Sequence, residues 1–305
     1  MANLITLKFD WFPGGVNMSQ TKEENSNSCA LPFFLESVAG RIFCLHYPAK
    51  IKSSIHVGIV LIPPFTEEMN KSRRTYTLLA HRLSALGFDV LIFDLYGTGD
   101  SEGDFSEARL EIWKDNVASC IEYMKQNGAK KIGILGLRFG ALLGLYCAKE
   151  LSDEFDIAVL WQPVTSGNVM MKQFLRLRFA ANLMEDTQNK ETKREMSDLL
   201  ENDQTFEVAG YELSLALFKS LDVLRLQTLL TSAIKRVHWI ELVTEEGRDF
   251  LPANKQVLNS WHQQGLNVTM DRVVGVPFWS SQEIFVVPKL IDATVNVFCN
   301  QWITE

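Results

Sequence analysis

The sequence predicts an α/β fold class: a mostly parallel central sheet flanked by helices, broken once by a helical insertion. Three observations predict it. Short apolar, β-branched runs recur along the chain, and their near-continuous apolarity suits strands covered on both faces. Segments with apolar residues at three- and four-residue spacing alternate with those runs, as parallel β-α-β units require. Between 165 and 226 the strand pattern stops, and helical patterns flank a polar stretch.

In order, the segments 33–38 and 41–47 flank Ala39-Gly40 and read as an antiparallel hairpin. Strand runs follow at 57–62, 90–93, 132–135, 157–161, 239–243 and 268–274. Over 107–127, Leu110, Trp113, Val117, Ile121 and Met124 share one helix face, and near the C-terminus Leu290, Ile291, Thr294, Phe298 and Trp302 do the same. The insertion carries helical segments at about 168–184 and 213–230 around a polar linker, 185–203. Its Met170, Met171, Phe174, Leu175, Leu177 and Phe179 either line a substrate pocket or pack the helix. The expected organisation is a flexible tail over 1–29, a core formed by 30–164 and 227–305, and a lid over 165–226. Met18 is an alternative start, followed by a polar stretch that reads as solvated.

With 305 residues, 47% hydrophobic and 22% charged, the chain can bury one large core plus a lid. A net charge of −7 offers no general basic surface, so nucleic acid is excluded as a partner. Five cysteines, odd in number and widely spaced, read as free thiols in a reducing compartment. No secretory signal and no membrane-spanning run is present, so a cytoplasmic location is expected. No metal-ligand spacing occurs, and no cofactor is expected.

The segment Gly136-Leu137-Arg138-Phe139-Gly140 follows the apolar run 131–135 and precedes a helical stretch. It is the frame of a nucleophile elbow, with glycines where the turn crowds its neighbours. The displayed residue is arginine. A guanidinium stays protonated and has no lone pair with which to attack a carbonyl, so Arg138 cannot serve as nucleophile. After the strand at 57–62, the stretch 63–74 stands where this arrangement places half of an oxyanion hole, and it carries Phe65, Glu67, Glu68 and Asn70. The segment from Asp94 through Tyr96 to Gly103 resembles the Asp-x-x-Gly-x-Gly-x-Ser-x-Gly turn of many α/β-hydrolases, with Ser101 as a turn residue. The segment 244–252 is similar to the one carrying the acid of a catalytic triad and puts Asp249 at that position. No histidine follows the last strand, where Pro277-Phe278-Trp279 stands, and all five histidines fall at strand edges or on helix faces.

Together, Pro63-Pro64-Phe65 with the 67–74 motif, the Asp94 turn, the Gly-Leu-Arg-x-Gly elbow, the 173–178 and 210–213 segments and Pro277-Phe278-Trp279 look like the family called exosortase A system-associated hydrolase 2. The likeness spans about residues 30 to 302. It implies the α/β-hydrolase fold and a setting beside bacterial exopolysaccharide and PEP-CTERM protein-sorting genes. Its "hydrolase" label is an analogy of fold.

An arginine at a helix N-terminus adds positive charge to positive potential and needs an anion beside it. Glu67, Glu68, Asp94 or Asp249 could supply one internally; a ligand carboxylate or phosphate could supply one externally. The expected cleft comprises Arg138, Phe139, Phe65, Glu67, Glu68, Asn70, Asp94, Tyr96, Trp161, Asp249 and Trp279. Three readings follow: a non-catalytic binder of a small anionic molecule, glycan or lipid-linked precursor; an atypical hydrolase with a carboxylate-activated water; or a structural partner of exopolysaccharide machinery with a closed cleft.

Overall fold

The structure, a computed structural model, describes residues 30–51, 53, 55–151, 155–184, 205–229 and 233–302. The tail 1–29, the linker 185–203 and the side chains of Leu177 and Phe179 lie outside that description.

The strands are β1 (Leu31–Leu35), β2 (Ile42–Tyr47), β3 (Val57–Ile62), β4 (Asp89–Phe93), β5 (Lys131–Leu137), β6 (Ile157–Trp161), β7 (Thr205–Val208), β8 (Tyr211–Ser214), β9 (Val237–Val243) and β10 (Val268–Val274). Eight of them form one sheet in the order β1-β2-β4-β3-β5-β6-β9-β10. β1 and β2 pair antiparallel, as do β2 and β4, and every pair from β4 to β10 is parallel. The helices are α1 (Glu67–Ala85), α2 (Leu110–Gln126), α3 (Phe139–Leu151), α4 (Gly167–Met184), α5 (Leu215–Asp222), α6 (Pro252–Gln263) and α7 (Pro288–Trp302).

Because successive strand residues point to opposite faces, each buried strand feeds two cores. On one face, Ile62 and Ile134 pack with Trp113 of α2, Leu142 of α3 and Trp261 of α6. On the other, Leu61 and Leu135 pack with Tyr76 and Leu79 of α1 and Leu290 and Phe298 of α7. Fully burying each such aliphatic or aromatic side chain stabilises the fold by about 1.5–3 kcal/mol before entropy is counted.

Two elements depart from the sequence reading. Residues 211–214 are not helical; they pair with 205–208 as a two-stranded hairpin, and helix is confined to α5 with a short 3-10 turn at Leu226–Thr228. The hairpin turns through Ala209 and Gly210, both at positive φ (51° and 83°), a geometry that keeps the strand twist. The stretch 63–74 is not mainly a loop either, since α1 begins at Glu67.

From β3 the chain crosses by α1 to β4 on one side, then returns by α2 to β5 on the other. The carboxyl ends of β3 and β5 therefore flank a topological switch point, where open α/β sheets bind ligands.

Candidate functional site

β5 ends at Leu137, and the next residue, Arg138, has φ 56°, so an arginine holds the left-handed backbone of the elbow. Such a conformation costs a residue with a Cβ roughly 1–3 kcal/mol and persists only where its surroundings dictate it. Here they do. The Arg138 N–H donates to Trp161 O at 2.9 Å, and its carbonyl accepts from Val164 N–H at 3.3 Å. A Cβ on Gly136 would fall 2.3 Å from Ala141 N, and one on Gly140 would fall 2.4 Å from Ile62 O, so both glycines are required by close approach. Beneath the elbow, Tyr76 Oη donates to Ile62 O at 2.9 Å and accepts from Leu137 N–H at 3.2 Å, fastening the ends of β3 and β5.

Two more side-chain-bearing residues in the connections that leave neighbouring strands take positive φ: Thr66 (48°), four residues past β3 and just before α1, and Gln162 (41°), directly after β6. The connections leaving the neighbouring strands β3, β5 and β6 thus each carry a positive-φ residue, and two of these, Thr66 and Arg138, line one cavity.

The Arg138 guanidinium donates from Nε to Glu68 Oε1 at 3.2 Å, and its Cζ lies 5.7 Å from the Trp279 ring centroid. Among the described residues, no acceptor takes its Nη hydrogens. Burial pushes the Glu68 carboxyl above its ordinary range, against the attraction and hydrogen bond of Arg138. Glu67, beside it in the first turn of α1, accepts from Tyr211 Oη at 2.9 Å, which ties the hairpin to the site. Lys71, one turn on, donates to Gln282 O at 2.8 Å.

These residues surround a cavity of about 490 Å³. Phe65, Met170, Phe174 and Trp279 form its apolar wall; Arg138, Lys71, Glu67 and Glu68 supply its charges; Thr66, Gln173 and Ser280 complete it. Phe65 meets Phe139 and Phe174 edge to face, with centroids 5.5 and 5.1 Å apart, which fixes the floor against α4.

Residues 59–211, half of the chain, match the family described as serine aminopeptidase, S33. The chain belongs to the S33 family. Its fold is that of the α/β-hydrolases. The structure of Est1E from Butyrivibrio proteoclasticus with ferulic acid bound superposes with a TM-score of 0.66 at 16% identity, covering 90% of this chain and 100% of that one. A putative hydrolase from Agrobacterium vitis S4 gives 0.59 at 17% identity, covering 90% and 98%. A protein named "Acyl transferase" from Shewanella hanedai is 35% identical over 83 residues, 27% of this chain, and the match spans 26% of that relative's length.

Within the S33 frame, the structure gathers Arg138, Phe65, Glu67, Glu68 and Trp279 around the cavity. Six other residues expected in the cleft do not line it. Phe139 and Trp161 are fully buried, and Trp161 Nε1 donates to Thr294 Oγ1 at 2.9 Å. Asp94, 2% exposed, accepts from Arg73 Nη2 at 2.9 Å and from Asp100 N–H at 3.0 Å. Tyr96 Oη donates to Glu107 at 3.2 Å, and Asn70 is exposed beside Glu67. Asp249 is exposed and paired with Lys255, outside the cavity. Lys71 and Gln173 were not expected there; with α1 begun at Glu67, the four-residue spacing of Glu67 and Lys71 would have placed the lysine on the same face.

No histidine lines the cavity. His46 and His56 hold Asp89, His81 packs edge-on against Tyr47, His238 lies between Thr269 and Asp271, and His262 approaches Val268 O. Among the described residues no cluster of ligating side chains could hold a metal ion, and no helix is long and apolar enough to cross a membrane.

Proposed function

We propose that this S33-family protein binds a ligand with one anionic group and an apolar body in the old active-site cleft, without covalent hydrolysis. The observation that carries the reading is Arg138: it occupies the elbow, is tethered through Nε alone, and leaves its Nη donors to the cavity. Lys71 and Arg138 offset Glu67 and Glu68, so the site is near charge balance and accommodates a single anionic group better than a highly charged one. The aromatic and methionine wall suits an apolar body, and about 490 Å³ is within the usual range of ligand pockets. An open cavity speaks for a ligand over a closed scaffold.

The resemblance to the exosortase A system-associated hydrolase 2 family supports a setting in bacterial exopolysaccharide or PEP-CTERM systems and a glycan or lipid-linked precursor as ligand, and the free thiols of Cys44, Cys120 and Cys147 support a cytoplasmic location. Isothermal titration with alkyl carboxylates of increasing length tests the reading. Binding should tighten with chain length and weaken about tenfold or more in Arg138→Ala, the loss of one charge-assisted pair. Equal binding by wild type and variant would sink it.

One observation favours a second reading, an atypical hydrolase. Glu68 has its carboxyl raised by burial and stands beside both Arg138 and the N-terminus of α3, a pairing of base and anion stabiliser. Ester turnover by the wild type that Glu68→Gln abolishes would establish it.

A further inference from the structure

A second concavity, of about 300 Å³, opens at the carboxyl ends of β9 and β10. Arg248 from the loop after β9, Arg272 from β10 and Lys289 from the first turn of α7 all line it. Among the described residues none of the three forms an ion pair, although acidic residues are close. Asp249 turns to Lys255 instead, and Glu246 is the one carboxylate lining the pocket. Three cations and one carboxylate line the pocket itself, with Glu241 and Asp249 within electrostatic reach of Arg272 from outside the lining.

The two arginines are held rather than free. Arg272 Nη1 donates to Arg248 O at 2.6 Å, and its guanidinium lies 5.1 Å from the Phe250 ring centroid. Arg248 Nη1 donates to Thr244 Oγ1 at 2.9 Å. Each bond uses one donor and leaves the remaining face of a planar fork available, in an orientation already fixed. Fixing like charges side by side is unfavourable unless an anion joins them, and forked guanidinium donors match phosphate oxygens. Lys289 adds its charge at a helix N-terminus, which contributes in the same sense.

We propose that Arg248, Arg272 and Lys289 form a phosphate-binding site, separate from the Arg138 cavity, for a phosphomonoester or phosphodiester group. Nearby Leu251 and Val276 are 48% and 46% exposed, so the phosphate could belong to a soluble molecule or to a lipid headgroup. Either source presents the same chemistry.

Two arms test it with the full chain: titration with inorganic phosphate, and flotation with phosphatidylcholine vesicles with or without phosphatidic acid. Wild type should bind in at least one arm. Phosphate in solution would identify a soluble ligand, and phosphatidic acid vesicles alone a headgroup. The Arg248→Gln/Lys289→Gln double variant should weaken binding about tenfold or more, while Lys130→Gln, exposed just before β5 and outside both cavities, leaves it unchanged. Should the double variant fold poorly, Lys289→Glu at an exposed position gives the same reading. Absence of binding in both arms, binding that survives the substitutions at Arg248 and Lys289, or an equal loss in Lys130→Gln would overturn the proposal.

Discussion

Arg138 donates its Nε proton to Glu68 Oε1 at 3.2 Å, joining the residue after β5 to the first turn of α1 across the switch point of the sheet. The pair is partly sheltered, with side chains 22% and 26% exposed, so solvent weakens it without removing it. Arg138→Met should strand a carboxylate that burial already disfavours, costing about 1–2 kcal/mol after that screening. Adding Glu68→Gln should recover part of the loss. Urea melts of the four proteins measure the coupling, and strictly additive losses would show that the two side chains act independently.

A reagent that phosphonylates activated serines should leave this protein unlabelled. The elbow holds no serine, and Ser101, the serine of the glycine-rich turn, is committed: its Oγ accepts from Phe43 N–H at 2.9 Å and donates to Asp94 O at 2.7 Å. No histidine is present to activate another hydroxyl in the cavity. Mass spectrometry after labelling is the check, and stoichiometric modification of any serine would contradict it.

The elbow and the sheet were legible in the sequence because their signals are local. Gly136 and Gly140 stand where a Cβ would strike backbone, and runs such as 57–62 and 157–161 are apolar at every position because both faces are covered. The Thr205–Ser214 hairpin was missed because each strand is four residues, too short for alternation to outweigh the helical pattern that follows. The cavity was half legible. Arg138, Glu68 and Trp279 came from motif positions, but Phe139 and Trp161 turn into the cores and Asp249 turns out to Lys255, and side-chain direction at a strand end depends on tertiary packing. Lys71 and Gln173 line one cavity because α1 and α4 both border it, a juxtaposition no local pattern records.

Arg138→Ser should not create an efficient esterase. The new hydroxyl would occupy the nucleophile position, but its neighbours across the old guanidinium are the Glu68 carboxyl and the Trp279 ring, and neither is an imidazole that could take its proton and pass it to a leaving group. The five histidines remain in their own contacts elsewhere, with His238 between Thr269 and Asp271 and His46 on Asp89. Hydrolysis of a simple aryl ester should stay within about tenfold of wild type, since one triad member without its base supplies little. Robust turnover with saturation kinetics would mean that another residue serves as base.

Away from the site, Asp89 makes the acid limb of stability predictable. It begins β4, is 7% exposed, and hydrogen-bonds with His46 Nε2 at 3.2 Å, with His56 Nε2 and with Ala49 N–H at 2.8 Å. Burial pushes its carboxyl up, but the hydrogen bonds from His46, His56 and Ala49 outweigh that and hold it down at about 2. Because the folded value lies below the unfolded one, near 4, this group's stabilisation is complete above about pH 4 and is lost as the pH falls towards 2. At neutral pH it amounts to about 2 kcal/mol, the equivalent of nearly two pK units. Asp89→Asn should lower the unfolding free energy from urea melts by about that much at neutral pH and should flatten the fall in stability between about pH 4 and 2. If the variant loses stability in that window as steeply as wild type, the carboxylate is not the group being titrated, and the clamp around Asp89 contributes through packing alone.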